Sequence, residues 1–316
     1  MTGFILTIYL KTFRKMSRIP IVRRIWQKLY DIIKYVLKNK PAKIRLHGFN
    51  ATLPFNSVYP IISRVVKTYN NPLIECVYQI NRLSNEKLVM FDIGAAIGDT
   101  VMLVQANCPN MVAKFFCVEG DKEFLTYLKS NTEQFGNVTC INTLLSDTSS
   151  KVKNLVRTHA GTASAQGEGY TEAISFDELT ESLNIKKIDL IKIDTDGYDG
   201  KILTGARNSI TQFQPIIIFE WHPILCIKTG NDYKEHFKAL LNLGYKTFIW
   251  FTKFGGFSHF TYEPTEKYID QFAEICLKAE FDNDWHYDII AFYEQTNYSI
   301  LDFANSTYSR NKISSY

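Results

Sequence analysis

Three carboxylates, Asp194, Asp196 and Asp199, stand within six positions in "LIKIDTDGYDG" (190–200), at the exit of a run whose apolar residues mark a buried strand. Like charges this close repel, and burial penalises each of them, so the crowding calls for a chemical reason or for partners. A carboxylate at the end of a strand can take a proton from a hydroxyl, directly or through a bound divalent ion that lowers the hydroxyl pKa. The stretch "FEWHP" adds Glu220 and His222, two positions apart and therefore on one side of a strand. Asp194, Glu220 and His222 together are the candidate base or metal site. Simpler roles are open for each. Asp196 or Asp199 is expected to cap the following helix, where free N–H groups and the helix dipole favour an acid. Glu220 could neutralise Lys192 inside the sheet, and His222 could be held by local hydrogen bonds.

A second constellation lies earlier. "FDIGAAIGDT" (91–100) places Asp92, Gly94 and Gly98 between a strand and a helix, where small residues let the backbone approach a ligand and the helix N-terminus favours an anionic group. The spacing is D-x-G-x-x-x-G and not the G-x-G-x-x-G of a dinucleotide site, which turns the reading away from NAD. Glu119 follows Asp92 by 27 positions, at the end of the next apolar run. An acid there can accept both hydrogen bonds of a ribose diol. Tight packing is the alternative for the glycines, and a solvated strand end for the acid.

These residues need elements to position them. Apolar runs at 87–94, 113–120, 138–146, 188–195 and 215–222 alternate with helical patterns at 98–106, 122–135, 176–183, 199–212 and 232–243. Strands apolar on both faces, separated by amphipathic helices, predict a doubly wound, mostly parallel α/β sheet. Beyond it, "KTFIWFTKFGGFSHFTYE" predicts a hairpin around Gly255 and Gly256, then a helix at 265–279 and a final strand at 286–294. The aromatic set from Phe248 to Phe260 is assigned first to sheet core and second to sugar stacking. The segment 157–170, rich in Gly, Ala, Ser and Thr, is expected as a loop, with a cover over the site as its functional reading. The chain after Thr296 is expected to lack order.

Residues 1–45 carry 12 Lys/Arg against the single acid Asp31, while the remainder holds 24 basic and 31 acidic groups. The two parts should meet different partners. From Ile19 to Lys38 apolar residues recur at three- and four-residue steps among lysines and arginines, predicting a basic amphipathic helix that packs on its own domain or lies on an anionic membrane. The expected organisation is a basic helical region at 1–42, an enzymatic domain at 43–296 and a polar tail at 297–316. No run reaches the roughly 20 apolar residues of a membrane span, and six scattered cysteines show no metal spacing, so a cytoplasmic protein with reduced thiols is expected, at most peripheral to the inner face of the membrane.

The segments "VMFDIGAAIGDTV", "FFCVEGDKEFLTYLKSN", "LLSD", "SFDEL", "IDLIKIDTDGYDGKILTGA" and "PIIIFEWHP" resemble, in this order, the FkbM-type S-adenosylmethionine-dependent methyltransferases over about residues 43–294. The resemblance implies a class I methyltransferase (Rossmann-like) fold with its last strand antiparallel, S-adenosyl-L-methionine as cofactor, and O-methylation of a sugar, a glycan precursor as in polysaccharide biosynthesis, or a secondary metabolite. It implies that Asp92, Gly94, Ala95 and Gly98 form the cofactor loop, that Glu119 binds ribose, and that Ser146 and Asp147 lie near adenine. Ala96 stands where the family commonly has Asn, and Gly200 where it has Leu, which should loosen the following helix. A divalent metal is compatible with the acidic cluster. The rival readings are a non-catalytic member of the fold docked on a membrane or another enzyme, and a nucleotide-sugar oxidoreductase. The intact acids disfavour the first and the glycine spacing the second. Nucleic acid is not an expected partner, because no aromatic-interleaved module accompanies the basic region.

Overall fold

The computed structural model describes residues 2–16, 20–38, 40–159, 162–278, 284–296, 298–301 and 303. Helices α1 (Thr2–Met16) and α2 (Pro20–Leu37) precede a hairpin of β1 (Pro41–Leu46) and β2 (Phe49–Pro54), then α3 (Tyr59–Val65) and α4 (Asn71–Ser84). The alternating part follows as β3 (Leu88–Ile93), α5 (Asp99–Asn107), β4 (Val112–Val118), α6 (Lys122–Thr132), β5 (Val138–Ile141) and β6 (Leu144–Ser146). A ribbon of β7 (Ser150–His159) and β8 (Thr162–Ser175) leads to α7 (Phe176–Ser182), β9 (Leu190–Ile193), α8 (Asp199–Thr204) and α9 (Arg207–Phe213). The chain ends with β10 (Ile216–Trp221), α10 (Pro223–Thr229), α11 (Glu235–Asn242), β11 (Tyr245–Thr252), β12 (Phe257–Tyr262), α12 (Glu266–Lys278) and β13 (Tyr287–Tyr293).

Eight strands form the main sheet in the order β12-β11-β13-β10-β9-β3-β4-β5. The five from β10 to β5 are parallel to their neighbours, whereas β13 is antiparallel to both β10 and β11. Alternate residues of the central strands feed two cores. Phe91, Ile191, Ile217 and Phe219 pack on one face of the sheet, and Met90, Leu190, Ile216 and Ile218 on the other. This explains why β3, β9 and β10 are apolar at almost every position.

Several boundaries differ from the sequence expectation. The helix expected at 199–212 breaks at Gly205, where a Cβ would stand 2.2 Å from the Ser146 carbonyl oxygen. Gly200 sits in the first turn of α8. It lets α11 approach, since a Cβ there would lie 3.0 Å from the Cβ of Glu235. The expected loop at 157–170 is mostly strand, two arms of the antiparallel β7–β8 ribbon. Phe303, 1% exposed, packs with Phe292 and Tyr298, so the chain is docked on the domain at these two described positions after Thr296. Residues 304–316 lie outside the described residues.

The N-terminal helices share a core with the hairpin and with the helices beyond it: Leu6, Tyr9, Leu10 and Tyr30 bury against Ala42, Ile44, Leu53, Met102 and Phe124. Helix α2 has two apolar faces. Trp26, Tyr30, Ile33 and Leu37 belong to this core, while Ile21, Ile25, Leu29, Ile32 and Val36 point outward and are between 46% and 71% exposed. No helix among the described residues is long and apolar enough to cross a membrane. All six cysteines are free thiols, five of them buried.

Candidate active site

The strand order reverses between β3 and β9, and the carboxyl ends of β3, β4, β9 and β10 open there into a cavity of about 980 Å³. Such a switch point is where open α/β sheets bind ligands. Gly94 closes the gap between two of the loops. Its φ is 80°, and a Cβ would stand 1.9 Å from the Asp194 carbonyl oxygen, so only glycine lets the loop after β3 touch the loop after β9. The Asp194 N–H donates to the Ile93 carbonyl at 3.0 Å across the same junction.

Glu119, at the end of β4, lines the cavity and is 6% exposed. Its Oε2 accepts the Ala96 N–H at 2.8 Å and its Oε1 the Asp121 N–H at 2.7 Å, which fixes the carboxylate while each oxygen keeps further acceptor capacity. Burial pushes its pKa up to about 7, against the pull of these two donors. Ala96 makes its contact from the left-handed region at φ 43°, a conformation better suited to asparagine. Asp121 turns away to cap α6 through the N–H groups of Glu123 and Phe124.

Beneath the cavity, Lys192 on β9 faces Asp92 on β3, its partner in the parallel register. The Lys192 ammonium lies 3.4 Å from Asp92, which is 0% exposed, and 3.1 Å from Asp194, whose side chain is 47% exposed toward the cavity. Burial would lower the lysine pKa, but Asp194 and Asp92 outweigh it and hold the ammonium well above its usual range. Glu220 therefore does not pair with Lys192; its Oε1 lies 3.2 Å from Nε2 of His286.

Neither Asp196 nor Asp199 caps α8, which starts after Tyr198 with no side-chain cap. Asp199 is sealed and reaches back, accepting the Thr195 N–H at 3.1 Å and the Thr195 hydroxyl at 2.7 Å, which closes the loop on itself. Burial pushes Asp199 up to about 6. Asp196 adopts φ 54° and lines the cavity, with its pKa raised well above the carboxylate range by burial and then by Asp194.

The structure brings Gly94, Glu119, Asp194, Glu220 and His222 to one cavity and leaves the other expected residues outside it. Asp92 is the buried counter-ion of Lys192. Ala95 is 1% exposed, its N–H bound to the Val118 carbonyl at 3.1 Å. Gly98 faces Thr132 and Leu128 of α6, where a Cβ would clash, so its role is close helix packing. Ser146 is buried against Gly205 and donates to Asp147, which pairs with Lys201 at 3.2 Å; Thr143, Leu144 and Leu145 line the cavity instead.

Sequence reasoning missed Asp99, Asp284 and His286. Asp99 opens α5 into the cavity, and burial pushes it up to about 7. His222 Nε2 lies 3.0 Å from Asp284 Oδ1, and the His222 and His286 rings stack at 4.9 Å. Hydrogen bonding to His222 holds the Asp284 carboxylate below its usual range, and burial pushes His286 down to about 4. The signal for this group was the pair of patterns E-x-H before residue 223 and D-x-H before the last strand, which antiparallel pairing places side by side.

Residues 92–247 match the family model described as the methyltransferase FkbM domain. No curated protein matches the chain. Among solved structures, the chain is similar to methyltransferase FkbM from Methylobacillus flagellatus KT, at 12% identity and TM-score 0.38, covering 65% of this chain and 44% of that one. It thus spans less than half the length of that protein. TYW2 from M. jannaschii in complex with AdoMet is 13% identical at TM-score 0.38, covering 80% of this chain and 86% of that one. TrmK from M. capricolum in complex with S-adenosyl-homocysteine is 15% identical at TM-score 0.37, covering 76% and 83%. By the family match together with the strand order, in which an antiparallel strand is inserted beside the parallel five, residues 92–247 are a methyltransferase FkbM domain within a class I methyltransferase fold.

Proposed function

We propose that this chain transfers the methyl group of S-adenosylmethionine to a hydroxyl on a sugar, a glycan precursor or a secondary metabolite. The observation that carries the reading is that Glu119 and Asp194, from different strands, face one cavity at the switch point of the sheet. The residues present fit the cofactor. Glu119 is fixed by two backbone donors with lone pairs left for a ribose diol. Bound there, S-adenosylmethionine supplies a methyl group already activated on a sulfonium. Asp194 accepts the proton of the acceptor hydroxyl as the new bond forms, with Lys192 holding its carboxylate in place. Glu220 and His222 orient the acceptor from the adjoining wall.

Calorimetry with S-adenosylmethionine, S-adenosylhomocysteine and NAD tests the assignment. The first two should bind and NAD should not; a preference for NAD, or no binding of either sulfur ligand, rejects it and favours the oxidoreductase or the non-catalytic reading. The pH dependence adds a signature. A diol donates to the ionised Glu119, whose pKa of about 7 in the free protein means that binding below this pH must expel a proton. Affinity should therefore fall by about tenfold per pH unit on acidification below 7, and Glu119→Gln should bind more weakly with a flatter profile.

A second property is inferred from α2. Its outward stripe of Ile21, Ile25, Leu29, Ile32 and Val36 is flanked by the exposed Arg24, Lys28 and Lys38, the pattern of a helix lying in an anionic lipid surface. Each basic residue near such a surface contributes about 1 kcal/mol. The chain should float with vesicles containing phosphatidylserine or phosphatidylglycerol and not with phosphatidylcholine alone. Because the opposite face of α2 is part of a core, the variant to compare is Ile25→Glu with Ile32→Glu, not a deletion. Equal recovery of parent and variant would sink the idea.

A further inference from the structure

The geometry points to a site for one divalent transition-metal ion on the β10–β13 side of the cavity, with His222, Asp284 and His286 as ligands and Glu220 beside them. One donor atom from each of the three ligands lies within 4.8 Å of the others. Two separations have the length of coordination edges: His222 Nε2 to Asp284 Oδ1 at 3.0 Å, and His286 Nε2 to Glu220 Oε1 at 3.2 Å. A first-row ion with N and O ligands at about 2.0–2.2 Å sets adjacent donors about 3.0–3.4 Å apart. The sheet makes the arrangement rigid. Glu220 is opposite Asp288 and Trp221 opposite Tyr287 in the antiparallel pair, so His222 and His286 follow at the next step of the register and stack.

The orientation of His286 is that of a ligand. Its Nδ1 lies 3.0 Å from the Asp284 carbonyl, which can only accept, so Nδ1 carries the hydrogen and the neutral ring presents a lone pair at Nε2. Metal-binding histidines commonly give their other N–H to such a carbonyl. That lone pair faces the Glu220 carboxylate, two acceptors with nothing to share unless a proton or a cation lies between them, and Glu220 Oε2 has no partner among the described residues. Lys253 opposes the ion by charge, yet it binds Asp284 through Oδ2 and the carbonyl and so leaves Oδ1 turned toward His222. Two imidazoles with carboxylates favour Zn²⁺, Fe²⁺, Co²⁺ or Mn²⁺ over Mg²⁺ and Ca²⁺. Binding of the ion stands by itself; a role in holding the acceptor oxygen rests on the methyl-transfer reading.

The test titrates Co²⁺ into the full chain, free of any affinity tag and stripped with a chelator, and follows its visible absorption. One equivalent should bind with nitrogen-ligand bands, be displaced by Zn²⁺ and resist millimolar Mg²⁺. His286→Ala should weaken binding by at least about tenfold, the lower end of what losing even an orienting partner of a metal ligand costs. Asp284→Asn should do the same, and because Asp284 is a largely exposed side chain this variant keeps the fold, which its melting curve verifies. Absence of the bands, or unchanged affinity in both variants, overturns the site. Calorimetry with S-adenosylmethionine on the same samples separates the two proposals: cofactor binding without Co²⁺ binding removes only the metal, and the reverse removes only the methyl-transfer reading.

Discussion

Asp194→Asn is expected to lower methyl transfer by about 10²–10⁴-fold, the range of a lost general base, while S-adenosylmethionine affinity stays within a few-fold of the parent. The amide keeps the size of the carboxylate and can still accept from Lys192, whose ammonium lies 3.1 Å away, so the loop after β9 is held as before. What it cannot do is take a proton. The cofactor contact assigned to Glu119 comes from a different strand and is untouched. Transfer of labelled methyl from S-adenosylmethionine into the small molecules and glycans of an extract measures the rate, with calorimetry as the affinity control. Turnover within tenfold of the parent would take Asp194 out of the reaction.

Lys192→Met should cost about 3–5 kcal/mol of stability, the usual consequence of removing one member of a buried ion pair. Methionine fills the space well enough, but Asp92, at 0% exposure and with Lys192 3.4 Å away, would lose its counter-ion inside the sheet. The double variant Asp92→Asn with Lys192→Met should recover much of the loss, since no uncompensated charge remains. The dependence on pH distinguishes this cause from poor packing. Burial already raises the Asp92 pKa above its unfolded value, against the lowering effect of Lys192. Without the lysine it rises further, the folded state binds more protons than the unfolded one, and stability must fall as pH increases above the unfolded pKa of an aspartate. Urea denaturation from pH 5 to 8 should show a steeper decline for Lys192→Met than for the parent. A loss that is independent of pH would assign the cost to packing alone.

The parallel strands were legible because burial on both faces leaves continuous apolar runs, and Glu119 was legible because its strand ends on an acid at a spacing that the glycine turn makes meaningful. The histidine and aspartate of 284–286 were not, because they meet His222 across a strand pairing that joins segments more than 60 positions apart. Local rules also failed where distant backbone intruded. Asp199 has the sequence position of a helix cap, yet Thr195 satisfies it, and a single helix expected at 199–212 is broken by the approach of Ser146 to Gly205. The outward stripe of α2 was hidden for a different reason. Apolar residues that serve two faces of one helix add to the same three- and four-residue recurrence, so packing and an exposed face looked like alternatives when the helix has both.

Gly94 carries a mechanical implication. With no side chain at that position, the turn after β3 rests directly on the peptide of Asp194, and the N–H of Asp194 is tied to Ile93. The loops after β3 and β9 thus meet backbone to backbone, so any side chain introduced at residue 94 must push the two apart.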